Sequence, residues 1–309
     1  MTKNQQKLPN AIGQAGGEKP IDTDFAVAAE VAPESKAPAP LHKKVSDWLN
    51  SQGYPLEMRV ARAFRSQAFR VIQSDYFVDP ETSVAREIDV VATMDAVHER
   101  YVMRVAFIIE CKMSRDKPWV AFASSSGGLA APARVAQRVG SARGTLLLQR
   151  LAKDAQAQAL EIFKIHGRPI HGVTQAFTSG QDAAYAAVHS AAKAAAAIAS
   201  KRIRTRLPLF QIFIPLIVLE GRLFEYSLGA SDEFSVNEIV EATLLWRNPV
   251  VDEPHAIIDI VTLDELAAYV ERARIACDSL ISHESSHCLE IVRATPPERR
   301  RPSLHWPRR

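Results

Sequence analysis

Residues 105–112 read VAFIIECK, and this stretch decides the predicted fold. Its five apolar residues, Val105 to Ile109, are typical of a strand buried on both faces. Because side chains alternate along a strand, Glu110 and Lys112 project from one face and Cys111 from the other. Burying an acid and a base costs free energy unless they are paired or bind a metal. The stretch therefore predicts a core strand that ends in an acid and a base placed for chemistry.

A second acid interrupts the preceding apolar run. Asp89 lies within REIDVVA, residues 86–92. If the two runs pair as a hairpin through the polar residues 98–100, Asp89 lies beside Glu110. Two carboxylates hold a hard cation such as Mg²⁺, while a lysine such as Lys112 orients or deprotonates water and offsets charge on phosphorus. We therefore predict that the Asp89 and Glu110 carboxylates lie roughly 3–6 Å apart, as a shared cation requires.

The spacing of these motifs resembles the PD-(D/E)xK nuclease superfamily. In that family an acid after a β-turn is followed, about twenty residues later, by E-x-K at the end of an apolar strand. Asp89 and residues 110–112 fit this order. The resemblance covers residues 54–113, and the later helix and strands are compatible with the rest of that fold. Ile88 stands where the family's nominal first motif has proline, a position at which its members vary widely.

The resemblance implies a restriction-endonuclease-like fold and a metal-dependent nuclease that hydrolyses phosphodiester bonds. Asp89 and Glu110 would bind Mg²⁺, with Mn²⁺ as a substitute, and Lys112 would assist the attacking water. An acid on the helix before the first core strand often joins the metal site in the family, and Glu57 holds such a place. The alternative for Glu57 is an acid in the first turn of a helix, favoured by the dipole. DNA is favoured over RNA as the substrate, and endonuclease action over exonuclease action.

The composition along the chain predicts one main domain over residues 42–292. This domain is expected to be α/β, with a restriction-endonuclease-like central mixed β-sheet flanked by helices. Residues 1–41 are rich in Gly, Ala, Pro and charged residues without periodicity, which predicts a disordered low-complexity segment. Residues 114–145 show no clean period and are interpreted as an insertion or loop, and residues 293–309 as a basic, proline-rich tail. The alanine-rich run 182–201 is the strongest helix prediction.

Basic residues are a further indication of a nucleic-acid partner, although the net charge of the 309-residue chain is only +3. Such clusters neutralise phosphates, and at a helix C-terminus they also stabilise the helix through the macrodipole, so both interpretations stay open. The sequence contains no zinc finger or P-loop, so we expect a homodimer or a partner protein that supplies recognition or motor activity. The candidate nucleic-acid-binding residues are Lys201, Arg202, Arg204 and Arg206, with further basic residues at Arg134, Arg138 and Arg143 and at 299–301.

The cysteines and the apolar runs indicate the cellular compartment of the protein. Cys111, Cys277 and Cys288 lie at unrelated spacings, which argues against a disulfide framework and indicates a reducing compartment. The N-terminus lacks the apolar core of a signal peptide, and no apolar run reaches the roughly 18 residues that a membrane helix needs. We therefore expect a cytoplasmic protein with no membrane partner.

Two alternatives from other classes stay open. A non-catalytic nucleic-acid-binding or scaffold subunit would keep the same fold, with Glu110 and Lys112 as a solvated strand-end salt bridge. The intact set of two acids and a lysine argues against it. A zinc metallopeptidase is the third candidate, because residues 283–287 read HESSH, the pattern in which two histidines share zinc and the glutamate is the base. The two serines weaken a helix there, and few further ligands follow.

Deletion of residues 1–40 tests the interpretation of the N-terminal segment. Because this segment has no apolar periodicity, it contributes no core, and its removal should leave the melting temperature almost unchanged. Thermal unfolding followed by circular dichroism measures this. A large fall in the melting temperature would show that the segment is a structural arm.

Overall fold

The computed structural model describes residues 40–79, 81–123, 128–201, 203, 205–229, 231–247, 255–283 and 285–294. Most of the predicted N-terminal segment and tail therefore lies outside the described residues. The chain divides into two compact units, Met1–Lys43 and Lys44–Arg309, and the sheet with its flanking helices belongs to the second. No helix among these residues is long and apolar enough to cross a membrane.

The described residues form both helices and strands. The helices are α1 (Pro40–Ser51), α2 (Tyr54–Ser66), α3 (Ala131–Ala136), α4 (Ala142–Leu151), α5 (Ala155–Gln158), α6 (Ala183–Ser200), α7 (Leu266–His283) and α8 (Ser285–Ala294), with a 3-10 turn at Glu161–Phe163. The strands are β1 (Arg70–Val78), β2 (Ala85–Val97), β3 (Val102–Ala123), β4 (Val139–Gly140), β5 (Pro169–Gln175), β6 (Leu209–Leu228), β7 (Phe234–Ile239), β8 (Glu241–Arg247) and β9 (His255–Thr262).

All nine strands belong to one mixed sheet, as the sequence predicted. Strands β1, β2 and β3 form the expected antiparallel meander. Strand β6 pairs parallel with β3 and also with β9, whereas β8 pairs antiparallel with β9 and parallel with β5. Because β5 also pairs with β3, the pairings β3–β5–β8–β9–β6 close a ring. The α/β class with a mixed sheet flanked by helices is therefore confirmed.

The central strand β3 contributes to hydrophobic layers on both faces of the sheet. Val105, Phe107 and Ile109 lie in the layer that contains α2 and α7, where the ring of Phe64 contacts Phe107 at a centroid distance of 5.3 Å. Ile108 lies in the opposite layer with α6. This alternation is the one predicted from VAFIIECK, and burial of each large apolar side chain contributes about 1.5–3 kcal/mol to stability.

Helix α6 lies where the alanine-rich run predicted the strongest helix. Its N-cap Asp182 accepts hydrogen bonds from the backbone N–H groups of Ala184 and Tyr185, at 2.9 and 3.2 Å. The same carboxylate accepts from Thr174 Oγ1 and the backbone N–H of Gln175 at the end of β5. The small side chains of α6 allow it to pack closely on β3 and β6. The cap therefore joins β5 to α6 and positions this helix over the sheet.

Of the two interpretations of residues 114–145, an insertion or a loop, the loop is wrong for the described part of that range. Strand β3 continues to Ala123, and α3, β4 and the start of α4 follow. Its register against β6 shifts between Ser114 and Trp119, where the four residues 115–118 of β3 lie opposite one residue of β6. This irregularity interrupts the alternation of apolar and polar residues, so the second half of the strand carries no clean sequence pattern.

Of the basic residues at 134, 138 and 143, Arg138 does not lie on the surface. Arg138 is only 4% exposed, and its guanidinium donates to the backbone carbonyl of Ile257 at 3.1 Å. It lies 3.5 Å from Asp259, whose carboxylate also accepts from Tyr269 and Thr243. Arg138 therefore belongs to a buried polar network between the sheet and α7, where it cannot bind nucleic acid.

Substitution of Gly144 tests the packing of α4 on β6. A Cβ atom at Gly144 would overlap the backbone carbonyl oxygen of Gln211. Alanine is the better helix former by about 1 kcal/mol, but the overlap with rigid backbone dominates. We expect Gly144→Ala to lower the free energy of unfolding in urea by about 1–3 kcal/mol. Gly180→Ala is the control, since a Cβ there meets no atom within 4 Å. Equal stability of the two variants would contradict this packing.

Candidate active site

Strands β2 and β3 separate at the residues that the sequence singled out. Their ladder ends at the pair Val90–Ile109. Beyond it, β2 stays paired with β1 as far as Ala85, while β3 stays paired with β6 through residues 110–114. Asp89 is the next residue of β2, and Glu110 is the next residue of β3. We call this point of separation the fork.

Asp89 makes a direct contact across the fork. Its Oδ2 atom accepts a hydrogen bond from the backbone N–H of Cys111 at 2.7 Å. Since Cys111 lies between Glu110 and Lys112, the hydrogen bond holds Asp89 against the E-x-K segment.

The two oxygens of Glu110 are held from different elements. Oε1 lies 2.6 Å from Lys112 Nζ, and Oε2 accepts a hydrogen bond from Ser190 Oγ of α6 at 2.7 Å. The side chain of Glu110 is 10% exposed and that of Lys112 is 32% exposed. The Glu110–Lys112 ion pair that the non-catalytic alternative predicted is therefore present, but the Glu110 carboxylate is mostly buried. A buried charge requires such partners, because removing an ion from water costs roughly several kcal/mol.

Burial and mutual repulsion dominate the electrostatics of the carboxylates. Burial first, and then the Glu110 carboxylate, raise the pKa of Asp89 to about 7, against the lowering effects of the Cys111 N–H group and Lys112. Burial also raises the pKa of Glu57, with Glu87 and Glu110 as further causes. Carboxyl groups with raised pKa values that converge at one place are characteristic of functional sites.

Lys112 behaves as a cation in this environment. Burial lowers the pKa of Lys112, but the attraction of Glu110 and the hydrogen bond to it more than offset burial, so the net pKa is raised. The amine therefore stays protonated at neutral pH. A protonated Lys112 can orient water and balance negative charge, as predicted. It cannot remove a proton from water, which was the other predicted role.

The structure brings Asp89, Glu110 and Lys112 together, and Glu57 is close enough to affect the pKa of Asp89. Within the described ranges, however, no three His, Cys, Asp or Glu side chains form a group that could hold a metal ion. Glu57 therefore does not complete a three-carboxylate cage in this arrangement. The separation of roughly 3–6 Å between the Asp89 and Glu110 carboxylates stays a prediction.

Ser190 is a site residue that the sequence analysis missed. It lies in the middle of α6, and 80 positions separate it from Glu110. Its alanine-rich context predicted a helix but gave no indication of which face meets the sheet. No sequence signal distinguishes Ser190 from the other serines of the chain.

The basic cluster is the next candidate, and the structure describes it in part. In the cluster 201–206, Arg202 and Arg204 lie outside the described residues, while Lys201 and Arg206 are exposed. Lys201 caps the C-terminus of α6. Eleven residues beyond Ser190, it lies about 16 Å along the helix axis, which favours the macrodipole interpretation.

The structure describes the HESSH segment in part. His283 lies in α7 and His287 lies in α8, which begins at Ser285. Glu284, the residue that would serve as the base, lies outside the described residues. The zinc-peptidase alternative therefore stays a prediction.

Comparisons with known proteins add no relative. No protein-family model matches the chain, no curated protein gives a significant match, and no solved structure does. The interpretation of the site depends on the chain's own residues.

Replacement of Asp89 tests the electrostatics of the fork. In the folded protein the pKa of Asp89 is raised from 3.8 to about 7, so the folded state binds the proton more tightly than the unfolded state does. Stability is therefore lost as the pH rises between these values. Asp89→Asn removes this loss and should raise the free energy of unfolding by about 1–3 kcal/mol at pH 8 and by little at pH 4.

Urea unfolding at several pH values measures this difference. Asp75→Asn is the matched control, because Asp75 is exposed on the neighbouring strand β1 and should show no such pH dependence. If Asp89→Asn instead has a lower free energy of unfolding than the wild type at pH 8, the ionised Asp89 carboxylate stabilises the folded protein. The predicted electrostatic cost of Asp89 is then absent.

Proposed function

We propose that residues 42–292 form a restriction-endonuclease-like domain of the PD-(D/E)xK type that hydrolyses phosphodiester bonds in nucleic acid. The observation that carries this proposal is the fork, where Asp89 accepts a hydrogen bond from the backbone between Glu110 and Lys112. The order of elements supports it as well. Helix α2 precedes the β1–β2–β3 meander, in which β2 carries Asp89 and β3 carries Glu110 and Lys112.

The donor set at the fork fits a hard divalent cation. Mg²⁺ takes one or two carboxylates and completes its shell with water and substrate phosphate, so Asp89 and Glu110 suffice without a third acid. When bound there, Mg²⁺ would polarise the phosphoryl group and lower the pKa of a coordinated water. Both carboxylates must be deprotonated to bind it. Because the pKa of Asp89 is raised to about 7, we expect the affinity for Mg²⁺ to rise steeply with pH around neutrality.

Lys112 and Ser190 act on the charged groups of the proposed site. Lys112 is a cation that balances negative charge on the phosphate as it is attacked, and it orients water through its ammonium hydrogens. Ser190 holds Oε2 of Glu110 at 2.7 Å, which leaves the rotamer of this carboxylate little freedom. We assign Ser190 as a positioning residue for Glu110.

Cleavage assays with three variants test the proposal. Lys112→Ala should lower the rate of DNA cleavage by about 10²- to 10⁴-fold, because the charge-balancing group is lost while the strand core is intact. Asp89→Asn should also cleave slowly, but excess Mg²⁺ or Mn²⁺ should partly restore it, since the substitution weakens metal binding. No metal concentration should replace the missing amine of Lys112. Supercoiled plasmid, linear duplex and single-stranded DNA and RNA are compared with Mg²⁺ and with EDTA.

Lys164→Ala is the matched control, because Lys164 also pairs with a glutamate, at 2.8 Å, but lies outside the fork. It should cleave like the wild type. His283→Ala should also retain full activity. If Lys112→Ala cleaves at the wild-type rate while His283→Ala is inactive and zinc is bound, the HESSH segment holds the site. If the wild-type protein binds DNA but cleaves no substrate, the non-catalytic alternative is correct.

A further inference from the structure

The sheet ends in the edge strands β1, β4 and β7. Among the described residues, β1 pairs with β2 alone, whereas β4 and β7 each pair only with β6. Proteins protect such edges, because the free N–H and C=O groups of an edge strand can pair with another chain. Strand β4 has only two residues, and Ser74, with a left-handed φ of 54°, interrupts the ladder of β1. Strand β7 reads FSVNEI, without lysine, proline or a left-handed residue, so its edge is open.

The free backbone groups of β7 belong to alternate residues. At the hairpin between β6 and β7, the N–H of Gly229 donates to the carbonyl of Glu233 at 2.8 Å. Hydrogen-bonded and non-hydrogen-bonded pairs alternate along an antiparallel ladder. The next hydrogen-bonded pairs are therefore Ser227–Ser235 and Glu225–Asn237. It follows that the backbone groups of residues 234, 236 and 238 point away from β6, toward the open side.

The side chains along this edge are mostly apolar. Phe234 and Val236 are 65% and 62% exposed. The ring of Phe234 already stacks on Tyr226 of β6, with centroids 5.2 Å apart and planes 6° apart. Glu238, the one charged residue of β7, accepts two hydrogen bonds from the guanidinium of Arg222 at 2.7 and 2.6 Å. The open edge therefore offers apolar side chains and a carboxylate whose charge is already paired.

This edge is complementary to a second copy of itself. An antiparallel pairing about a twofold axis at Val236 sets Val236 opposite its own copy and Phe234 opposite Glu238. All three outward residues then form hydrogen-bonded pairs, with about six backbone hydrogen bonds in total. Phe234 of one copy lies diagonal to Val236 of the other, within reach of an aromatic ring. The pairing thus covers apolar side chains of both copies.

The acids near β7 favour this register over its neighbours. Asp232 and Glu233 are exposed at the hairpin, and the pairing about Val236 sets Glu233 opposite Ile239. A shift of two residues in one direction sets Asp232 opposite Glu238, and a shift in the other direction sets Glu233 opposite Glu241. Like charges directly opposite each other destabilise a pair of strands. The pairing centred on residue 236 avoids both juxtapositions.

We propose that this chain forms a twofold-symmetric homodimer in which the two β7 strands pair antiparallel about Val236 and join the two sheets. The proposal does not depend on the chemistry at the fork. An edge of six residues is about 20 Å long. This is a short contact beside a standard interface, which buries roughly 800 Å² per copy. The dimer is therefore reversible, with a Kd on the order of micromolar.

The test is sedimentation velocity of the full chain from about 1 to 100 µM, which should show a monomer–dimer equilibrium. Val236→Lys sets two ammonium groups opposite each other at the axis, so it should weaken dimerisation at least about tenfold. Val236→Glu should do the same through two carboxylates. An equimolar mixture of the two variants should restore the dimer, because a lysine of one copy then faces a glutamate of the other. Recovery in the mixture also shows that both variants are folded.

Val78→Lys is the matched control, because Val78 is also a valine that is 62% exposed, but on the edge strand β1. It should dimerise like the wild type. A wild type that stays monomeric over the whole range overturns the proposal and leaves the β7 edge to a strand of another protein. Undiminished dimerisation of Val236→Lys would assign the dimer to another surface. A mixture of the lysine and glutamate variants that stays monomeric would likewise overturn the pairing about Val236.

Discussion

The separation of β2 from β3 after the pair Val90–Ile109 is the constraint on which the site depends. An edge N–H group that loses its strand partner inside a protein must find another acceptor. At the fork, the carboxylate of Asp89 accepts the N–H of Cys111 and so remains against the E-x-K segment. Each strand can leave the other because each keeps a second partner, β1 for β2 and β6 for β3. Beyond Val90 and Ile109, each of the two strands therefore remains paired on its other edge.

Two clusters of buried polar groups in this protein differ in how completely they are satisfied. Asp259 is 1% exposed and is surrounded by the guanidinium of Arg138 and by two hydroxyl donors. Asp89 has a single backbone donor and repelling carboxylates nearby, and its pKa is raised to about 7. A fully paired buried acid specifies packing, whereas an incompletely paired one carries a free-energy cost that a bound cation can offset. This contrast supports the proposal that the fork is a functional site.

The helices determine which groups reach the fork from either side of the sheet. Helix α6 is rich in alanine, so it packs closely enough for Ser190 to reach Glu110, and its N-cap Asp182 connects it to β5. Helix α2 packs on the other face and carries Glu57 near the carboxylates and Arg59 against Glu220. Arg115, at the irregularity between Ser114 and Trp119, also contacts Glu220. The two helices therefore approach the fork from opposite faces of the sheet.

The sequence by itself determined the features that depend on neighbours along the chain. Alternation predicted Glu110 and Lys112 on one face of a core strand, the hairpin spacing predicted Asp89 beside them, and alanine content predicted α6. Contacts between residues distant in sequence were decided only by the tertiary structure. The bond from Ser190 to Glu110, the burial of Arg138 against Asp259 and the continuation of β3 past its register shift leave no periodic signal. Periodicity reports which face of an element is buried, but the partner that covers that face depends on how the whole chain packs.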